Sequence, residues 1–196
     1  RQNIRQELND TPESLLKDYE KDDRTCLHVA VEDGDYEMID ILFEKLSDED
    51  KLRLLKLTAT TDTRSVIWLC MRNGGVTWAM ELAKSSTHEA LKILIYRGVI
   101  NYTCQHEDAE ALQLLLSAVT SDTLMSVMST LTLGQQYFSC IQKAAMCGIN
   151  TFISMLSQHL PSDSVLSLLL EQCEKDGGRT ALHIACEENE FNIVKT

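Results

Sequence analysis

Thr180-Ala-Leu-His-Ile-Ala-Cys-Glu-Glu-Asn189 has a near copy far upstream, Thr25-Cys-Leu-His-Val-Ala-Val-Glu-Asp-Gly34, and this pair decides how the chain is read. Each copy places a threonine at a helix mouth, a leucine and a small residue on one helical face, and a Gly or Asn suited to positive φ where the helix stops. With Thr25 as origin, an apolar residue, a small residue, a turn residue and a terminal leucine recur at offsets of two, five, nine and seventeen. From Ser65 they are Ile67, Cys70, Gly74 and Leu82; from Ser139 they are Ile141, Ala144, Gly148 and Leu156. A poorer register begins at Val99, with Asn101, Cys104, Asp108 and Leu116. The small column (Ala30, Cys70, Cys104, Ala144, Ala185) suits close approach of neighbouring helices. The turn column (Gly34, Gly74, Asp108, Gly148, Asn189) collects the residues that best tolerate a left-handed backbone.

The starts at 25, 65, 99, 139 and 180 are separated by 40, 34, 40 and 41 residues. The connections carry a repeated signal of their own, a Ser or Thr, acids close behind, then a leucine-rich run. Examples are Ser47-Asp-Glu-Asp-Lys-Leu, Thr87-His-Glu-Ala-Leu, Ser121-Asp-Thr-Leu-Met and Ser162-Asp-Ser-Val-Leu, with Thr11-Pro-Glu-Ser-Leu at the front. A hydroxyl that caps free amides, followed by carboxylates near the positive end of the helix dipole, marks a helix N-terminus. A short third helix is therefore expected in each connection.

The doubled Thr-x-Leu-His-x-Ala core resembles the ankyrin repeat, whose signature is Thr-Pro-Leu-His-x-Ala at a period of about 33 residues. Cys26 and Ala181 stand where the family has proline, and the family's Gly-Ala-Asp-Val-Asn loop ending is absent. The resemblance implies an all-α, ankyrin-like helical solenoid of about five stacked repeats, with the extra short helices in the connections. It implies one domain over 1–196, with repeat cores near 21–46, 61–86, 95–120, 135–160 and 176–196. His28 and His183 hold the family's histidine position, which implies structural hydrogen bonding and no catalysis. Trp68, Tyr102 and Gln142 occupy that column elsewhere, so the polar network is expected to be interrupted. Asn101, among Leu27, Ile67, Ile141 and Leu182, is a misfit, because an unpaired buried amide costs about 1–3 kcal/mol. Met38, Ile39, Ile41, Leu42 and Leu46 are expected in the core, and Trp78 is expected to pack.

A formal charge of −12 argues against nucleic-acid binding, which needs a basic face. Residues 1–62 hold 17 acids and 9 bases, residues 63–170 hold 7 and 6, and residues 171–196 hold 6 and 3. The nearly uncharged middle suits either a solenoid interior protected by polar ends or a contact surface. No run is long and apolar enough for a membrane span. Seven cysteines, two of them on the small column, suit a reducing, intracellular (cytoplasmic) setting, and their spacing is not that of a zinc site. No phosphate loop, nucleophile elbow or zinc-protease motif occurs, so no cofactor, metal or catalytic residue is expected. The last outer helix is cut short at Thr196, as in a piece of a longer repeat protein.

The family binds other proteins through its concave face. Carried onto matching positions, that face comprises Arg24, Glu32, Asp33, Arg64, Arg72, Asn73, His106, Glu107, Phe138, Met146, Arg179, Glu187 and Glu188. Phe138 and Met146 are the expected apolar anchor, and the acidic pairs form a rim favouring a basic protein partner. The expected function is a protein–protein interaction module in a larger protein. Two alternatives are a regulatory segment packing on another domain of its own chain and a thiol-based sensor.

Overall fold

The computed structural model describes residues 26–44, 46–56, 58–59, 62–129, 139–172 and 177–188. These residues form twelve helices and one short antiparallel ladder. The chain divides into two compact units, Arg1–Gly98 and Val99–Thr196, with the division falling inside a helix.

In the first unit, α1 (Cys26–Glu32) turns into α2 (Tyr36–Glu44), and α3 (Asp48–Leu55) follows. Strands β1 (Thr58–Ala59) and β2 (Asp62–Ser65) then pair, Thr58 opposite Ser65 and Ala59 opposite Asp62. Helices α4 (Val66–Arg72) and α5 (Val76–Ser85) repeat the pair, and α6 (Glu89–His106) begins. Helix α1 packs on α4 through Leu27, Val31, Ile67 and Cys70, all buried. In α2 the buried stripe is Ile39, Leu42 and Phe43, at the three-to-four spacing of one helix face. Ile41 points the other way and is exposed, which corrects its expected place in the core. Trp78 packs as expected, its ring between Tyr36 and Phe43, and its indole N–H donates to Asp40 Oδ1 at 2.6 Å.

The second unit takes the rest of α6, then α7 (Ala109–Ala118), α8 (Ser121–Ser129), α9 (Cys140–Met146), α10 (Asn150–His159), α11 (Ser162–Leu170) and α12 (Ala181–Glu187). Helix α9 packs on α12, α10 on α7, and α11 on α8, so helices of like position lie against each other. Phe152, Leu112, Leu115 and Ile153 are enclosed between the outer pair.

The inserted helices are present as α3, the start of α6, α8 and α11. Ser47 caps α3 by accepting from Asp50 N at 3.2 Å. The caps of α8 and α11 fall one residue earlier than expected, on Thr120 and Pro161. The first connection contains the strand ladder as well as a helix. The Thr11 segment lies outside the described residues.

Three of the turns are the same object. Gly34, Gly74 and Gly148 have φ of 66°, 83° and 71°. In each, the next residue's N–H reaches back five residues to the small column: Asp35 to Ala30 O, Gly75 to Cys70 O and Ile149 to Ala144 O, all at 2.9 Å. This is the Schellman closure that a left-handed residue makes possible.

The fourth turn corrects the expected register. Its left-handed residue is Glu107, φ 54°, and not Asp108. Asp108 instead caps α7, its carboxylate accepting from Ala111 N at 2.9 Å, just as Asp35 accepts from Met38 N at 3.1 Å. The third unit of the pattern therefore starts at Gly98, one residue earlier. Ile100, fully buried, takes the apolar column, Thr103 the small column and Leu115 the terminal-leucine column. Asn101 moves into the column of His28, Gln142 and His183 and ceases to be a misfit. The reason is local. No proline lies between Lys92 and Val99, so the inserted helix and the next inner helix fuse into α6. Gly98 lies buried within it, where a Cβ would come within 2.9 Å of Ile67 Cγ1.

Candidate interaction surface

The column at offset three carries the polar joints. Gln142 is buried; its Oε1 accepts from Ser139 N at 2.8 Å, and its Nε2 donates to Glu171 O at 3.0 Å and Arg179 O at 3.1 Å. The network expected to break at this position is thus carried across the 171–179 connection by a glutamine. The signal was present in the sequence as Ser139-x-x-Gln142, a capping box. His183 makes the same box with Thr180, its Nδ1 accepting from Thr180 N at 3.2 Å. His28 is fully buried.

Among the described residues, the expected contact residues other than Arg179, which precedes α12, fall at the C-terminal ends of the inner helices. In the first unit Glu32, Asp33, Arg72 and Asn73 are all exposed. Asn73 draws these ends together, donating from Nδ2 to Val31 O at 2.9 Å and Glu32 O at 3.4 Å. Tyr36 Oη donates to Asn73 O at 3.0 Å. The amide of Asn73 is therefore a joint between two turns, and the charges of Glu32, Asp33 and Arg72 stand around it. Arg72 also sits 5.9 Å from the centroid of the Trp68 ring.

In the second unit Met146 is 44% exposed at the end of α9. Glu187 and Glu188 end α12, which packs beside it, and Arg179 forms an ion pair with Glu187. His106 and Glu107 are exposed at the end of α6, where the His106 ring lies 4.7 Å from that of Tyr102. Arg24 and Phe138 lie outside the described residues, as does the side chain of Arg64.

Among the described residues there is little room for a small molecule. A half-open crevice of about 160 Å³ lies between Thr103, Leu112, Phe152 and Met155, below the roughly 300–1,000 Å³ of ligand pockets. Among the described residues, no three or more His, Cys, Asp or Glu side chains converge on a metal position, and no helix is long and apolar enough to cross a membrane. Burial pushes the Cys70 thiol up to about 12. The neighbouring Cys140 thiol, then burial, holds Cys104 well above the ordinary thiol range. Neither has the thiolate character that a reactive cysteine needs at neutral pH.

No family model, curated protein or solved structure matches the chain.

Proposed function

We propose that the chain is a protein-interaction module built as an ankyrin-like solenoid of about five repeats, binding a basic protein segment through exposed inner-helix ends. The observation that carries this reading is the recurrence of one turn at Gly34, Gly74 and Gly148. It delivers the same two exposed positions at each helix end: Glu32 and Asp33, Arg72 and Asn73, Met146 and Cys147. A rigid scaffold that repeats its backbone while varying two exposed residues per unit is suited to recognition by side-chain choice. Met146 supplies the apolar contact, and Glu187 with Glu188 supplies charge that steers a basic partner. Catalysis has no part in this reading.

The test is capture from cell lysate with the partner identified by mass spectrometry, using Met146→Asp, a Glu187→Lys/Glu188→Lys double variant, and Leu166→Asp as a control on the exposed face of α11. The expected result is one partner retained by wild type and the Leu166 variant and lost by the other two, with circular dichroism unchanged. Equal capture by all four proteins overturns the assignment.

A further inference from the structure

The half-open crevice of about 160 Å³ lies between the end of α6, the start of α7 and the first turns of α10, with all its walls in the second compact unit. Its floor is apolar: Leu112 and Phe152 are buried and Met155 is half-buried. Its lip is acidic. Glu107 and Asp108 line it, Glu107 exposed, and the exposed Glu110 follows on α7. The Asp108 carboxylate is engaged at the cap of α7, accepting from Ala111 N. That of Glu107 has no hydrogen bond or ion pair among the described residues. Residues 98–174 carry seven acids against one lysine, the buried Lys143, so this stretch supplies the lip with little positive charge of its own. The backbone makes a separate point. Glu107 is held at φ 54° at the position where Gly34, Gly74 and Gly148 relax the same turn. Strain retained at one turn of four marks a side chain kept for something other than the turn.

We propose that this crevice receives a lysine side chain of the partner, its methylenes lying along Leu112, Phe152 and Met155 and its ammonium at Glu107 and Asp108. This rests on the reading of the chain as a module for a basic protein segment, and it names the group that such a segment places here. The crevice is too small for an ordinary ligand but suits one side chain laid along it. A lysine stem buries on apolar surface while its charged head stays in water. The head is a compact charge with three rotatable donors, which suits two separately held acceptors, an exposed glutamate beside a capping aspartate. Arginine has a shorter apolar stem and a planar fork that asks for one carboxylate in fixed geometry.

The experiment is an NMR titration of the whole chain labelled at its methionine methyl groups, with the Met155 signal assigned by Met155→Leu. The probes are three peptides, acetyl-Gly-Ser-X-Ser-Gly-amide, in which X is lysine, Nε-acetyl-lysine or arginine. The expected result is a saturable shift of the Met155 signal with the lysine peptide, weakened by salt, a weaker response to arginine and none to acetyl-lysine. Glu107→Gly raises the urea midpoint, because it relaxes the turn, yet weakens the lysine response about threefold. The Glu107→Gly/Asp108→Asn double variant keeps a capping residue at 108 and loses the response. A Met155 signal that stays still, or that moves equally with the acetylated peptide, overturns the proposal. So does an unchanged response in the double variant, and equal half-saturation by the arginine peptide overturns the choice of lysine. If the double variant fails to fold, the wild-type titration with the three peptides decides alone. A still Met155 signal combined with loss of partner capture by the Met146 and Glu187/Glu188 variants separates the two readings: the interaction module stands and the crevice assignment falls.

Discussion

Glu107 shows how one residue can carry a structural decision without the usual chemistry. Its φ of 54° is the conformation that glycine supplies at 34, 74 and 148, and a side chain there costs about 1–2 kcal/mol. Replacing Glu107 with glycine relieves that cost but raises the entropy of the unfolded chain, so the net gain is expected to be about 1 kcal/mol. A higher urea midpoint at unchanged slope is the readout; a lower midpoint would mean that the exposed Glu107 side chain contributes more than its strain. The residue also explains why the register of this unit was misread. Asp108 follows it, is a good left-handed residue by type, and sits where a fixed offset from Val99 places the turn. Only the backbone shows that Asp108 is the cap of the next helix, as Asp35 is.

At the scale of elements, the joints between helices depend on side chains that bridge loops. Gln142 satisfies the N–H of Ser139 and the carbonyls of Glu171 and Arg179, all in or beside buried surroundings. Gln142→Leu leaves these three groups unpaired, and the expected loss is about 2–4 kcal/mol, read by chemical denaturation. A loss below that of Ser139→Ala, which removes only the cap and costs about 1 kcal/mol, would show that the 171–179 connection is held by other contacts. A second joint ties α3 to the start of α6: Asp48 accepts from Ser86 Oγ at 2.6 Å and pairs with Lys51 at 3.2 Å, while Glu49 meets His88 at 3.2 Å. The Ser86 hydrogen bond, then Lys51, holds the Asp48 carboxyl below its ordinary value of 3.8, against a smaller opposing effect of burial. Its folded pKa is depressed, so its stabilisation is complete above 3.8 and is lost as pH falls through the lower folded value. Asp48→Asn should therefore flatten the acid limb of the stability curve below pH 3.8; an unchanged limb would place acid sensitivity elsewhere.

Over the whole molecule, charge is uneven: of the net −12, −8 belongs to residues 1–62. Self-repulsion of that kind opposes the compact state and is screened by salt. Raising the ionic strength from about 0.01 M to about 0.15 M shortens the screening length from about 30 Å to about 8 Å, and the melting temperature should rise by about 2–4 °C. A fall would show that favourable pairs such as Arg179 with Glu187 outweigh the repulsion. Helix type and the turns at Gly34, Gly74 and Gly148 could be read from the sequence by itself, because both are local: apolar periodicity, hydroxyl caps and glycines act within a few residues of where they stand. Glu32, Asp33, Met146, Glu187 and Glu188 were assigned by carrying over the positions that the resemblance implies, and each is exposed at a helix end. The fusion of two helices into α6, the bridging by Asn73 and Gln142, and the burial of Lys143 were decided only by tertiary structure. Each depends on which backbone or side chain comes to lie opposite, across 29 to 42 residues of sequence in the hydrogen-bonded joints, and no local pattern specifies a neighbour at that distance.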